Sequence, residues 1–170
     1  LNRDDTQNIN ETSARAKFIW DLSPSLRFNL TTLYIDANNG YDTFSLNNTR
    51  RTLSDQPGSD DQEAAAVAGR LQWDLEGLGR VELLTTWTNS EEVYGFDEDW
   101  VFSGFCDGVR CDPAVEFASS DVVTRKRDQA SVDVRWLSDF GQLSWVTGAY
   151  FHTRDEDMQR QRFGLFSSRY

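Results

Sequence analysis

Three times the chain brings a strand-like run to a tryptophan, makes a turn of a few residues, and starts a second strand-like run at once. The first copy is Phe18-Ile19-Trp20-Asp21-Leu22, turn Ser23-Pro24-Ser25, then Leu26-Arg27-Phe28-Asn29-Leu30. The second is Leu71-Gln72-Trp73-Asp74-Leu75, turn Glu76-Gly77-Leu78-Gly79, then Val81-Glu82-Leu83. The third is Val134-Arg135-Trp136-Leu137, turn Ser138-Asp139-Phe140-Gly141, then Leu143-Ser144-Trp145. Long, polar, acidic stretches separate the hairpins, so short turns fall at one end of every hairpin and long connections at the other.

Within each run the apolar residues alternate, as they must when one face of a strand meets an apolar phase and the other meets water. Ala14, Ala16, Phe18, Trp20 and Leu22 alternate with Arg15, Lys17, Ile19 and Asp21. Val81, Leu83, Thr85 and Trp87 alternate with Glu82, Leu84, Thr86 and Thr88. The pattern predicts strands over 13–22, 26–36, 64–75, 80–91, 128–137 and 142–154, with long connections over 37–63 and 92–127. A strand of ten residues, tilted, has the ~25 Å height of a barrel's apolar band. Trp20, Trp73, Trp136 and Trp145 then become membrane-interface aromatics beside the short turns. A soluble β-sandwich also alternates, but it does not require short turns at one end and long loops at the other. The expected fold is all-β, an antiparallel up-and-down meander of about six strands. Single-chain outer-membrane barrels close with about eight strands or more. The 170 residues are therefore expected to be part of a larger wall.

Composition narrows the partners. The formal net charge of -11 argues against nucleic acid, whose phosphates select basic surfaces. No apolar run approaches the ~20 residues of a transmembrane helix, which leaves a barrel untouched. The chain begins Leu-Asn-Arg-Asp-Asp, without the basic and apolar segments of a signal peptide, so a processed or internal start is expected. Cys106 and Cys111, the two cysteines, share one long connection as Cys-Asp-Gly-Val-Arg-Cys. With one histidine in the chain they make a poor metal site, and a small disulfide loop in an oxidising compartment is expected.

The long connections carry Asn39-Gly40-Tyr41-Asp42-Thr43-Phe44-Ser45-Leu46, Ser54-Asp55-Gln56-Pro57-Gly58 and Tyr94-Gly95-Phe96-Asp97-Glu98-Asp99-Trp100; the last predicted strand carries Trp145-Val146-Thr147-Gly148-Ala149-Tyr150. In these stretches, and over nearly its whole length, the chain resembles the barrel of TonB-dependent outer-membrane receptors. The resemblance implies a partial segment of a roughly 22-stranded transmembrane β-barrel in the outer membrane of a Gram-negative bacterium. Such a barrel contacts outer-membrane lipid, encloses its own plug domain, and is energised by the TonB complex through that plug. It imports a scarce small-molecule nutrient such as a ferric siderophore or cobalamin. Neither a plug nor a TonB-box segment is recognisable in these residues.

The residues expected to contact a ligand are Tyr41, Tyr94, Phe96, Asp97, Glu98, Asp99 and Trp100, where rings could stack on a flat chelate and carboxylates could meet cations or hydroxyls. A solvated structural loop is the plainer reading of the same residues. The carboxylate spacing lacks the ordered ligand series of a calcium loop. His152, the single histidine, has no Gly-x-Ser-x-Gly elbow to serve, and no phosphate-binding glycine loop is present, so neither an enzyme nor a bound cofactor is expected. A passive porin or adhesin-like barrel is the alternative within the membrane class, and a soluble β-sandwich binding module the alternative outside it.

Overall fold

In the computed structural model the described residues are 7–40, 44, 45, 49, 51–56, 58–105 and 115–168, with backbone alone for 115–117 and 165–168. They form six strands: β1 (Glu11–Ser23), β2 (Leu26–Asn39), β3 (Ser59–Leu75), β4 (Gly79–Asp97), β5 (Val115–Phe140) and β6 (Leu143–Ser168). All pair antiparallel with their sequence neighbours in one open sheet, β1-β2-β3-β4-β5-β6, whose edges are β1 and β6.

Three tight turns close one end. Ser23 pairs with Leu26 across Pro24 and Ser25, after a register shift between Asp21 and Ser23. At the second turn Gly77 and Gly79 take positive φ of 71° and 100°. A Cβ on Gly79 would lie 2.1 Å from the Leu137 carbonyl oxygen, so the neighbouring strand as well as the turn demands glycine there. Phe140 pairs with Leu143 across Gly141, whose φ is 62°.

The pairings divide the sheet into two faces, because directly paired residues of an antiparallel ladder project to the same side. One row runs Trp20, Phe28, Leu71, Leu83, Val134, Ala149. The next towards the long connections runs Phe18, Leu30, Gly69, Thr85, Val132, Phe151, and then comes Ala16, Thr32, Val67, Trp87, Ala130, Thr153. The opposite face carries Asp21, Arg27, Gln72, Glu82 and Arg135 in one row. Its polar groups satisfy one another: Arg27 reaches Asp21 at 2.6 Å, Arg80 reaches Asp74 at 2.6 Å, and Arg70 reaches Glu82 at 2.8 Å.

No second layer among the described residues covers either face. Among the described residues Ala37 is the one buried apolar side chain, while Phe18, Trp20, Trp73, Trp87, Val132 and Phe151 are all exposed. A protein of this size normally buries its large apolar side chains in a core. Here the backbone ladder holds the sheet together, and the apolar face stays open.

The strands lengthen across the sheet, from 13 residues in β1 to 26 in β5 and β6. The alternation predicts shorter elements: β3 begins at Ser59 rather than 64, β4 continues to Asp97 rather than 91, β5 begins at Val115 rather than 128, and β6 continues to Ser168 rather than 154. Much of the two expected long connections is therefore strand. Many of its residues are polar, with stretches such as Thr124-Arg125-Lys126-Arg127 polar on both faces, so the ladder continues where the sequence carries no sustained apolar period. In the last hairpin Gly148 pairs with Arg135, and a Cβ on it would come within 2.3 Å of the Val134 carbonyl oxygen.

Candidate functional site

The short-turn end holds the tryptophans. Trp73 and Trp136 share a row through Val81, and Trp20 stands one row further in. Trp136 donates its indole N–H to the Leu78 carbonyl at 2.9 Å and meets Trp145 edge-on at 5.0 Å between ring centroids. The first contact ties the last hairpin to the turn before it. At the other limit of the apolar rows the change takes one row: Ala14, Tyr34 and Ala65 pair on with Asn89, Asp128 and Asp155, and the next row, Thr12, Asp36, Glu63, Glu91, Lys126, Asp157, is nearly all charged. Lys126 bridges to Glu91 at 3.1 Å.

Beyond that row lie most of the residues singled out for ligand contact, and the structure separates them into two groups. Tyr94 and Phe96 sit on the polar face of β4, with ring centroids 5.7 Å apart. Phe96 is level with Asp121 of β5, which is level with Arg162 of β6. Asp121 is fully buried at 0 % exposure and takes Arg160 in a bidentate contact, Nε lying 3.0 and 2.9 Å from its two oxygens. The Arg160 hydrogen bond holds its carboxyl below the usual carboxylate range. Glu98 accepts from Arg162 Nε at 2.7 Å. The polar face here therefore presents two rings on β4 and two guanidinium groups on β6, with β5 between them and both arginines more than half exposed.

Asp97, Asp99 and Trp100 belong to the second group. Asp97 ends β4 with 3 % exposure, and its Oδ2 accepts the Asp55 amide at 2.9 Å. Asp99 accepts the Val101 amide at 3.0 Å and the Ser119 amide at 2.9 Å. Asp55 in turn accepts the Ser103 amide at 2.7 Å and its hydroxyl at 3.0 Å. Trp100, at a φ of 61°, stacks on Phe44 with centroids 4.6 Å apart. The Asp97 and Asp99 carboxylates thus hold backbone amides. Tyr41, Cys106 and Cys111 lie outside the described residues.

Asp55, Ser103, Asp121, Arg160 and Arg162 were not among the residues singled out from sequence. Asp55 stands in the Ser-Asp-Gln-Pro-Gly stretch, which reads as a breaker, and the arginines follow an acidic run where the alternation has faded. Pairing of β5 with β6 brings Asp121 to Arg160, and a contact between the two long connections brings Asp55 to Ser103; no local spacing announces either.

Burial first, and then the neighbouring Asp99 carboxyl, push the Asp97 carboxyl up to about 6 against the opposing amides of Asp55 and Gln56. Among the described residues no group of three or more His, Cys, Asp or Glu is arranged to hold a metal ion. A scan against protein-family models, a search of curated proteins and a search of solved structures all found no match to this chain.

Proposed function

We propose that this chain is a stretch of the wall of a TonB-dependent outer-membrane receptor, with its apolar face against lipid and its polar face towards a hydrated lumen. The observation that carries the reading is the uncovered apolar band. Along β3 it runs from Trp73 to Ala65, about 26 Å at ~3.3 Å per residue and about 20 Å in height at a tilt near 40°, close to the ~25 Å of outer-membrane barrels. Aromatic rings stand at its short-turn limit and carboxylates just past the other, so the face is suited to hydrocarbon between two polar zones.

The long connections would then be extracellular, and the parent protein would import a scarce nutrient such as a ferric siderophore or cobalamin, energised by TonB through a plug domain. Tyr94 and Phe96 of β4, with Arg160 and Arg162 of β6 on the same face, are the ligand-contact candidates this placement favours. Rings offer stacking, and the guanidinium groups offer hydrogen bonds to an anionic group. The test has two parts. Brominated lipids should quench Trp87 fluorescence more strongly than that of Trp100, and equal quenching would count against the membrane placement. A strain lacking the protein should lose uptake of one nutrient, and a strain lacking TonB should lose the same uptake. Uptake that persists without TonB would point instead to a passive porin.

A further inference from the structure

Asp97 is unlike the other acidic groups at this end of the sheet. Asp121 is equally buried but has Arg160, and Glu98 has Arg162. No ion pair reaches Asp97 among the described residues, and its Oδ1 is buried without a hydrogen-bond partner. Its near neighbour is another carboxylate, Asp99, already holding two amides. Two ionised carboxylates offer acceptors only. A single proton between them supplies the missing donor.

The position of this pair gives the proton a lever. Asp97 holds the Asp55 amide of the first long connection, while Asp99 holds Val101 of the second and Ser119 of β5. Asp55 completes the bridge by taking Ser103, and Phe44 on Trp100 forms a second contact between the same segments. We propose that Asp97 is the proton-sensitive pin of a latch between the two long connections, which fastens as a proton binds and loosens as it leaves. This goes beyond the receptor reading and does not depend on it.

The surroundings leave Asp99 as the controlling charge. From the covering segment Asp55 faces the site, with its carboxylate engaged by Ser103. Asp61 of β3 shares the face at the level of Val93, further in. On β5 and β6 the level of Asp97 presents Ser120 and Phe163, both uncharged. Glu98, Asp121, Arg160 and Arg162 lie on the polar face and pair among themselves.

The sign follows from linkage. A carboxyl raised from 3.8 to about 6 in the closed state favours closure fully below 3.8, and that contribution is lost as pH rises to about 6. Closure should be about tenfold more favourable at pH 5 than at pH 7. Amide exchange at Asp55 and Ser119, corrected for the intrinsic pH dependence, reads this directly on the intact protein. Protection about tenfold higher at pH 5 is expected, while amides of the β5–β6 ladder such as Val132 stay unchanged. Asp97→Asn keeps the acceptor for Asp55 and offers Asp99 a permanent donor, so protection should become high and equal at both pH values. Asp99→Asn removes the repelling charge and should shrink the ratio well below tenfold, a second readout should the first variant not fold. Equal wild-type protection at the two pH values, or a tenfold ratio surviving either substitution, would overturn the latch.

Discussion

The same six strands behave differently in their two halves. Towards the short turns, one face is apolar and the other carries paired charges, so each strand reads as an alternation. Beyond the row of Asp36, Glu63, Glu91 and Lys126 both faces are largely polar, yet β5 and β6 continue without a break to Val115 and Ser168. The backbone ladder accepts either regime, because its hydrogen bonds are the same whatever the side chains meet. What changes is where specificity resides. In the first half it lies in the contrast between faces, and in the second in individual bonds such as Arg160 with Asp121 and Asp97 with the Asp55 amide.

The contrast can be broken most forcefully at its centre. Val132→Arg puts a charge in the middle of the apolar band and should cost about 2–4 kcal/mol of stability in lipid vesicles, measured by urea titration. Ser131→Arg, one residue along and on the other face, should cost less than about 1 kcal/mol. Equal costs would mean that the two faces meet the same medium.

A smaller effect is expected at the turns. Gly79→Ala should cost about 1–3 kcal/mol, since the added Cβ meets the Leu137 carbonyl as well as a positive φ. Gly77→Ala has open space around it and should cost about 1 kcal/mol in the same titration. Trp136→Phe removes the hydrogen bond to Leu78 and should cost about 1 kcal/mol, with faster amide exchange in the Glu76–Leu78 turn.

In the polar half the expected changes are local. Asp121→Ala leaves Arg160 free to rehydrate, so global stability should barely move, while exchange at the outer ends of β5 and β6 quickens. The wild-type Asp121 contribution is present at neutral pH and fades only as pH falls below the usual carboxylate range, opposite in sense to Asp97. Smallest of all is Arg27→Gln at the short-turn end, where an exposed pair is screened and no measurable change in the urea midpoint is expected.

These two regimes also explain how far the sequence could be read. Apolar alternation locates the paired centres of all six strands, and the glycine and proline turns locate three hairpins. Their short connections make hairpins of β1–β2, β3–β4 and β5–β6, while β2–β3 and β4–β5 pair across the long ones. Ser59-Asp60-Asp61-Gln62-Glu63 has neither apolar period nor strand-forming side chains, and it becomes strand because β2 and β4 flank it. The candidate site was legible in part. The acidic and aromatic run 94–100 draws notice by its composition, but only the fold sends Tyr94 and Phe96 to one side and gives Asp97 and Asp99 to the backbone.

Gly148 bears on how such a long hairpin finds its alignment. Once β5 and β6 begin to zip from Gly141, a slip of two residues would keep every side chain on its proper face, so polarity alone could not reject it. The close approach of the Val134 carbonyl can. A two-residue slip would bring Val146 or Tyr150 to that point, each with a Cβ where the native pairing leaves room only for hydrogen. One missing methyl group thus serves as an index mark for a ladder of 26-residue strands, and misaligned copies of this hairpin should be rejected during zipping before the outer ion pairs have formed.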